Sequence, residues 1–325
     1  MTNVLPLRKW LDVVTSEYLD GFIGEGGASI KFVVPIEPGL DSKVVSEVSD
    51  LGTRLNYLVA QVNASDTRVH LPQEIFFKVA EQIDWRSLAR RVIIRLAKER
   101  GYKVEGIKPD SHDSILTTIG EANALDRQFV LRELRPRLQD EVFRNRSLAK
   151  DFRVAMTQLC LAENVSSGDN YEGMPLIDWL KGTNRRVSSV RDYSIYNSIN
   201  RTNARYFFES LSHWLRYVGF LGLVVLIDNS RVTLLRNPRD GIWFYTRSSA
   251  MDHYELLREF IDGTDRLEGC LMVILANAEF LDEEIAGKGF GIYRPLMSRI
   301  IDEVRDQTLV NPMASLVRLT DSAME

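Results

Sequence analysis

Hydrophobic and polar positions along this chain follow two periods. Over residues 5–22 the apolar side chains Leu7, Trp10, Leu11, Val14, Tyr18 and Leu19 recur at helical spacing, which predicts an amphipathic helix. Glu25, Gly26 and Gly27 break it. Residues 30–34 then read as a β-branched strand, and a loop carrying Pro35, Pro38 and Gly39 leads to a helix from Lys43 to about Arg54 and a second strand over 57–62. Helices follow over 72–83, with Pro72 suited to a first turn, and over 87–101, closed by Gly101. An exposed loop spans 106–113, and residues 122–163 alternate apolar and charged positions at helical spacing. A polar loop at 164–173, a short helix at 175–180, a basic, serine-rich linker at 185–191 and a long helix at 195–219 come next. Residues 221–227 are so uniformly apolar that only a strand buried on both faces suits them, as in a parallel sheet. A helix over 253–261, a second buried strand over 270–276 and a helix over 293–303 complete the pattern. Strands alternating with helices predict a mainly parallel, helix-covered sheet. The expected organisation is an α/β core in two parts, 1–105 and 191–325, interrupted by a helical insertion over 106–190.

Composition narrows the function classes. With 325 residues, 45% hydrophobic and 26% charged, the chain has globular proportions and can bury a sizeable core. A formal net charge of −4 disfavours sequence-independent nucleic-acid binding by the whole surface and leaves room for a local basic face. Cys160 and Cys270 both sit in apolar surroundings and read as small buried residues of a reducing compartment. Residues 1–10 lack the apolar stretch of a signal peptide, and the run 218–227 is far shorter than the ~20 residues of a membrane span, so a cytoplasmic protein is expected.

Candidate chemistry begins after the first strand. A phosphate loop places a glycine-rich turn between strand and helix, surrounds phosphate oxygens with backbone N–H groups, and adds a lysine followed by a Mg²⁺-holding Ser or Thr. Residues 35–43 have that context, and Gly39, Ser42 and Lys43 are the candidate nucleotide-binding residues. The chemistry departs from it. Gly39 is alone, Pro38 removes a donor, Lys43 follows Ser42 instead of preceding it, and Glu37 and Asp41 bring negative charge. A carboxylate about 4 Å from a phosphate charge costs about 4 kcal/mol at an effective dielectric near 20. The competing reading is a plain strand–turn–helix connection. Residues 24–27 precede the strand and read as a turn.

The strand at 223–227 ends in Asp228 and Asn229. An Asp there resembles the Mg²⁺-ordering residue of a Walker B strand, so Asp228 is the candidate metal residue. Asn229 stands where a glutamate would polarise water, and an amide cannot accept that proton; the pair is a degenerate catalytic site or simply a turn. Asn277, after the next buried strand, is a candidate γ-phosphate contact. Arg299, with Arg294, is a candidate phosphate sensor or a surface ion-pair residue. His70, His112, His213 and His253 show no metal-ligand spacing. Asp282, Glu283 and Glu284 read as a solvated helix start, and no Gly-x-Ser-x-Gly elbow occurs. Arg185, Arg186 and Arg191 with Tyr193 and Tyr196 read as a solvated linker or a nucleic-acid contact.

Several segments together resemble the ATP-binding proteins of BREX-type bacterial phage-defence systems, an AAA+-like P-loop family. They are residues 26–34, 66–70 with 73–75, 203–205 ahead of 222–228, 253–262, the strand leading to Asn277, and 293–299. The resemblance implies a P-loop NTPase core with ATP and Mg²⁺ as cofactors. It also implies partners within a defence system, such as a DNA helicase or nuclease, with DNA reached through them and with homo-oligomerisation. Against the family's Gly-Lys-Thr/Ser this chain has Leu40-Asp41-Ser42-Lys43, against its Asp-Glu pair it has Asp228-Asn229, and helical lid elements are expected beyond Leu319. The expectation is a pseudo-ATPase-like subunit. The alternatives are an active ATPase completed by a partner chain, or an α/β module that binds DNA or a small ligand instead of nucleotide.

Overall fold

The computed structural model describes residues 4–111, 114–163, 171–284, 286–301 and 311–321. The chain divides into two compact units, Met1–Val79 with Phe220–Glu325, and Ala80–Gly219.

The first unit is built on a six-stranded sheet, β1 (Val4–Pro6), β2 (Ala28–Pro35), β3 (Tyr57–Asn63), β4 (Gly222–Asp228), β5 (Cys270–Leu275) and β6 (Leu316–Thr320). Its order is β1-β6-β2-β5-β4-β3, and every neighbouring pair is parallel. The parallel, helix-covered sheet that the sequence predicts is thus present, consistent with a P-loop NTPase-like core. β4 and β5, buried along nearly their whole length, are the uniformly apolar runs of the sequence. β1 and β6 were not anticipated. The helix expected from residue 5 begins at Leu7, as α1 (Leu7–Val13), because Val4–Pro6 pairs with β6 as an edge strand, the place where a proline's missing donor is tolerated. α1 continues in wider π-type turns over Val14–Phe22. Residues 316–320 bury Val317, Leu319 and Thr320 where β6 lies between β1 and β2.

Trp10, Val14 and Leu19 cover one face of the sheet together with Val44, Val48 and Leu51 of α2 (Leu40–Arg54). They pack on Val33, Val224, Leu226, Leu271, Val273 and Leu319. Each such side chain contributes about 1.5–3 kcal/mol on full burial. Phe32 points to the other face and stacks on Phe280 at 5.7 Å, which meets Tyr254 of α10 (Arg247–Asp262) edge-on. α11 (Arg294–Ile300) packs beside α10. It is shorter than the expected 293–303 helix, whose positions 302 and 303 lie outside the described residues.

α2 therefore follows β2 over one face, while the chain leaving β5 passes over the other. Because β2 and β5 are neighbours, paired from Ala28↔Cys270 to Val33↔Leu275, their connections diverge at the carboxyl end. That divergence opens a crevice at a topological switch point, where open α/β sheets bind ligands.

The division between the units falls inside α3 (Pro72–Glu81). The second unit then holds α4 (Trp85–Glu99), α5 (Ile115–Ala122), α6 (Arg127–Leu138), α7 (Lys150–Ala162), α8 (Met174–Lys181) and α9 (Ala204–Tyr217), with no strand among its described residues. Asp84 caps α4 by accepting from Ser87 N–H at 2.9 Å. Phe152 is the hub of an aromatic core, edge-on to Trp85, Phe207 and Trp214 at 6.0–6.4 Å between centroids. Those contacts draw α4 and α9 into the unit, so it is wider than the expected 106–190 insertion. Of the expected loops, positions 112–113 and 164–170, His112 among them, lie outside the described residues. The helix expected from residue 195 starts only at Ala204. Ser194 is left-handed (φ 65°), and Asn200 and Asn203 bond to nearby backbone N–H groups, which competes with helical pairing. Among the described residues no helix is long and apolar enough to cross a membrane. Both cysteines are free and buried.

Candidate functional site

The crevice is bounded by the turn after β2. Only residues 36–39 separate strand from helix. Gly39 takes a left-handed conformation (φ 81°) that a side chain would resist, and it stands at the N-cap of α2, where no side chain caps the helix. Within the turn Ile36 N–H donates to Leu319 O at 3.0 Å, Leu40 N–H to Glu37 O at 3.3 Å, and Pro38 has no N–H. Glu37 is held against the end of β6: it accepts from the Thr320 hydroxyl and from Asp321 N–H at 3.2 Å. Ser42 is exposed in the first turn of α2. Lys43 Nζ donates to Asp321 Oδ1 at 2.5 Å, and this hydrogen bond and charge raise the lysine's pKa.

Asp228 ends β4, two strands from the turn, or about 10 Å at normal strand spacing. Its Oδ2 accepts from Asn63 Nδ2 at 3.0 Å and its Oδ1 from Ser230 N–H at 2.8 Å. Asn229 turns inward, 1% exposed, and meets His253 of α10. His253 Nδ1 lies 2.8 Å from Val69 O, and burial pushes the ring's pKa down to about 4. A carbonyl only accepts, so Nδ1 holds the single proton and Nε2 offers a lone pair. Asn229 Oδ1 faces that lone pair at 3.0 Å while Nδ2 has no partner. Exchanging the ends of the amide lets Nδ2 donate to Nε2, and that is the arrangement hydrogen bonding favours. In either orientation Asn229 pins α10 to β4 and does not face the crevice.

Asn277 caps the short turn after β5: its Oδ1 accepts from Thr233 Oγ1 at 2.9 Å and Phe280 N–H at 3.2 Å, and its Nδ2 donates to Ser230 O at 3.2 Å. Arg299 is forked on Asp262, at 2.5 and 2.9 Å. Asp262 is the last residue of α10, a crossover helix running back from the carboxyl ends of the strands, so Arg299 lies toward the opposite edge of the sheet. Gly39, Ser42, Lys43, Asp228 and Asn277 thus share the carboxyl edge, and Arg299 does not.

Three further residues carry no local signal in the sequence. Thr320 and Asp321 reach the turn only through the pairing of β6 with β2, almost 300 residues apart in the chain. Lys288 is 8% exposed and donates to Leu234 O at 2.6 Å and Tyr245 O at 2.5 Å, over the Phe244 ring at 3.7 Å; burial lowers its pKa. Lys288 therefore organises the 234–245 loop beside the crevice.

As arranged, the turn does not fit a polyphosphate. Four residues, one of them proline, cannot supply the ring of amides that the eight-residue Gly-x-x-x-x-Gly-Lys-Ser/Thr loop supplies. Its lysine is engaged by a carboxylate, and a second carboxylate is fastened in the same turn. Asp228, at the carboxyl end of β4, has both oxygens in local hydrogen bonds.

Residues 115–324 match the family model of the BREX system ATP-binding protein BrxC/D. The chain belongs to this family. The match includes β4, β5 and β6 with Asp228, Asn229, Asn277 and Arg299, and leaves the turn with Gly39, Ser42 and Lys43 outside it. No curated protein and no solved structure matches the chain. Membership in the BREX family makes the chain a component of a phage-defence system on an ATP-binding type of scaffold.

Proposed function

We propose that this BREX-family chain is a pseudo-ATPase-like subunit, one that keeps the P-loop-type core as a frame for assembly with other proteins of the defence system and has given up the grip on nucleotide. The observation that carries this reading is the pairing of Lys43 with Asp321, in a four-residue turn whose other acid, Glu37, is bound to Thr320. A lysine held by a carboxylate offers a phosphate little net attraction. Asn229, buried on His253, supports the same reading on the hydrolytic side, because no carboxylate follows Asp228 to activate water. Its partners would be proteins of the system, among them a helicase or nuclease that brings DNA. Calorimetric titration of the chain with ATP and Mg²⁺ tests the proposal. No heat of binding up to millimolar nucleotide is expected; tight binding with brisk phosphate release refutes it.

A second reading is an ATPase completed by a partner chain, and the position of Asp228 favours it. The residue is half-buried at the carboxyl end of a central strand, with its carboxylate at the crevice edge. In that case phosphate release by the assembled complex falls on Asp228→Ala. Equal rates for wild type and variant remove it.

A further inference from the structure

Charge is unevenly shared along this chain. Residues 80–219 hold 23 Lys and Arg against 18 Asp and Glu, net +5, while the remainder holds 18 against 27, net −9. Within the helical unit the excess gathers in two segments. Residues 144–153 and 181–206 together contain ten Lys and Arg and only two acids, Asp151 and Asp192.

These segments meet across a cavity of about 500 Å³, whose walls include Arg146, Lys150, Asn197, Asn203 and Tyr206. The acids on its walls are engaged: Asp151 accepts from Asn197 Nδ2 at 3.0 Å, and Glu209 pairs with Arg205 at 3.4 Å. Arg146 and Lys150, both exposed, make no ion pair among the described residues, and neither do Arg186 and Arg191. Two tyrosines are exposed, Tyr206 at 47% on the wall and Tyr196 at 61%, one residue before the wall residue Asn197 in the chain. The wall is tied together from within, since Ser210 Oγ donates to Tyr206 O at 2.6 Å and accepts from Ala149 N–H at 2.8 Å. The segment that precedes this wall in the chain, read as a linker from sequence, holds short 3₁₀ turns at Val187–Ser189 and Arg191–Tyr193.

We propose that this groove binds single-stranded nucleic acid, with phosphates on Arg146 and Lys150 and bases stacked on Tyr206 and Tyr196. Unpaired cations alone would accept any polyanion. The exposed rings set the class, because aromatic faces stack on bases that are open, which a duplex does not present. The amides of Asn197 and Asn203 add polar contacts to base edges or sugar. This site stands apart from the reading of the sheet crevice and survives its failure.

The test is fluorescence anisotropy with the full chain, a labelled oligo-dT of about 20 nucleotides and a duplex of the same length. The single strand should bind more tightly than the duplex. With a phosphate on each of Arg146 and Lys150, its affinity should fall about 7-fold between 50 and 200 mM salt. Arg146→Ala with Lys150→Ala should flatten the log–log salt slope by about 1.4. Tyr206→Ala should weaken binding roughly 5- to 150-fold, and Tyr206→Phe should restore it. Arg100→Ala, whose side chain pairs with Glu133 elsewhere on the unit, should change nothing. Absence of binding at about 100 µM protein, the weak end of ordinary non-specific association, overturns the proposal. So does binding that Tyr206→Ala leaves intact, or that duplex or polyglutamate displaces as well as oligo-dT does, since the surface would then read charge alone.

Discussion

At the carboxyl edge of the sheet, polar groups have been given neighbours: Lys43 has Asp321, Glu37 has Thr320, Asp228 has Asn63, and Asn277 has Thr233. In the helical unit the groove leaves Arg146 and Lys150 without ion pairs among the described residues, while its acids are occupied. The contrast is instructive because the first region has the topology of a ligand site and the second does not. Position at a switch point provides the crevice, but affinity needs hydrogen-bonding capacity that the protein has not already used. The interiors differ as well. The helical unit buries an ion cluster, Glu163 with Arg86 and Arg90 at 2.7 Å each, whereas the sheet unit buries a neutral histidine.

The largest effect expected from breaking that contrast is on the buried cluster. Glu163 is 0% exposed and Arg90 is 3% exposed, and Arg90 also donates to Ser111 O and to Pro109 O at 3.3 Å. Glu163→Ala leaves the Arg90 charge buried without this carboxylate, so it should cost about 3–5 kcal/mol in urea unfolding. A loss below about 1 kcal/mol would show that water reaches Arg90 and that the cluster is not an interior one.

His253 comes next. Its folded pKa, about 4, lies below the ordinary 6.5, so as pH falls the unfolded chain takes up the proton first. Stability from the neutral ring is complete above pH 6.5 and is lost as pH falls from 6.5 toward 4. At pH 5 the loss should be about 2 kcal/mol relative to pH 7. His253→Asn should be less stable at pH 7 yet lack this increment when the two proteins' urea midpoints are compared at both pH values. Parallel pH profiles would mean that the ring is charged on Asn229 Oδ1, against the amide orientation argued above.

How much of this was legible beforehand follows from how local each cause is. β4 and β5 announce themselves, because a strand buried on both faces needs apolar residues at every position, and 222–227 and 270–275 supply them. The strand–turn–helix at β2 and α2 was equally visible, from the β-branched run at 30–34 and the Pro38-Gly39 turn. β1 and β6, three and five residues long, carry too little period to be seen alone and exist because each has the other beside it. Asp321 as the partner of Lys43, 278 residues away, follows from that same pairing. Asn229 facing His253 and Arg299 facing Asp262 likewise depend on where α10 crosses the sheet.

Relieving the crevice should have a smaller effect. Glu37→Gln with Asp321→Asn removes both fastened acids and frees Lys43 while keeping the shapes of the side chains. If charge is the main obstacle, affinity for a fluorescent ATP analogue should rise about tenfold, well below the ceiling of about 4 kcal/mol per unscreened carboxylate. No gain over wild type would point away from charge and toward the four-residue length of the turn, and inserting glycines after Glu37 would become the sharper experiment.

The smallest effect belongs to Arg299, and it separates a structural ion pair from a phosphate sensor. Its guanidinium is forked on Asp262 and also donates to Pro295 O at 2.7 Å, while Arg258 joins Asp262 to Glu255, whose pKa is held down to about 2 by that arginine. The network ties α11 to the last turn of α10 at the surface, where such pairs contribute about 0–1 kcal/mol and salt screens them. Arg299→Ala should therefore lower the melting temperature slightly, with the difference shrinking at high salt, and should leave any nucleotide binding of the Glu37→Gln, Asp321→Asn protein unchanged. A drop in that binding would require Arg299 to leave Asp262 and reach the carboxyl edge of the sheet. That is a rearrangement of α11 which the fork on Asp262 opposes, so a positive result would identify α11 as the element that moves when the crevice is filled.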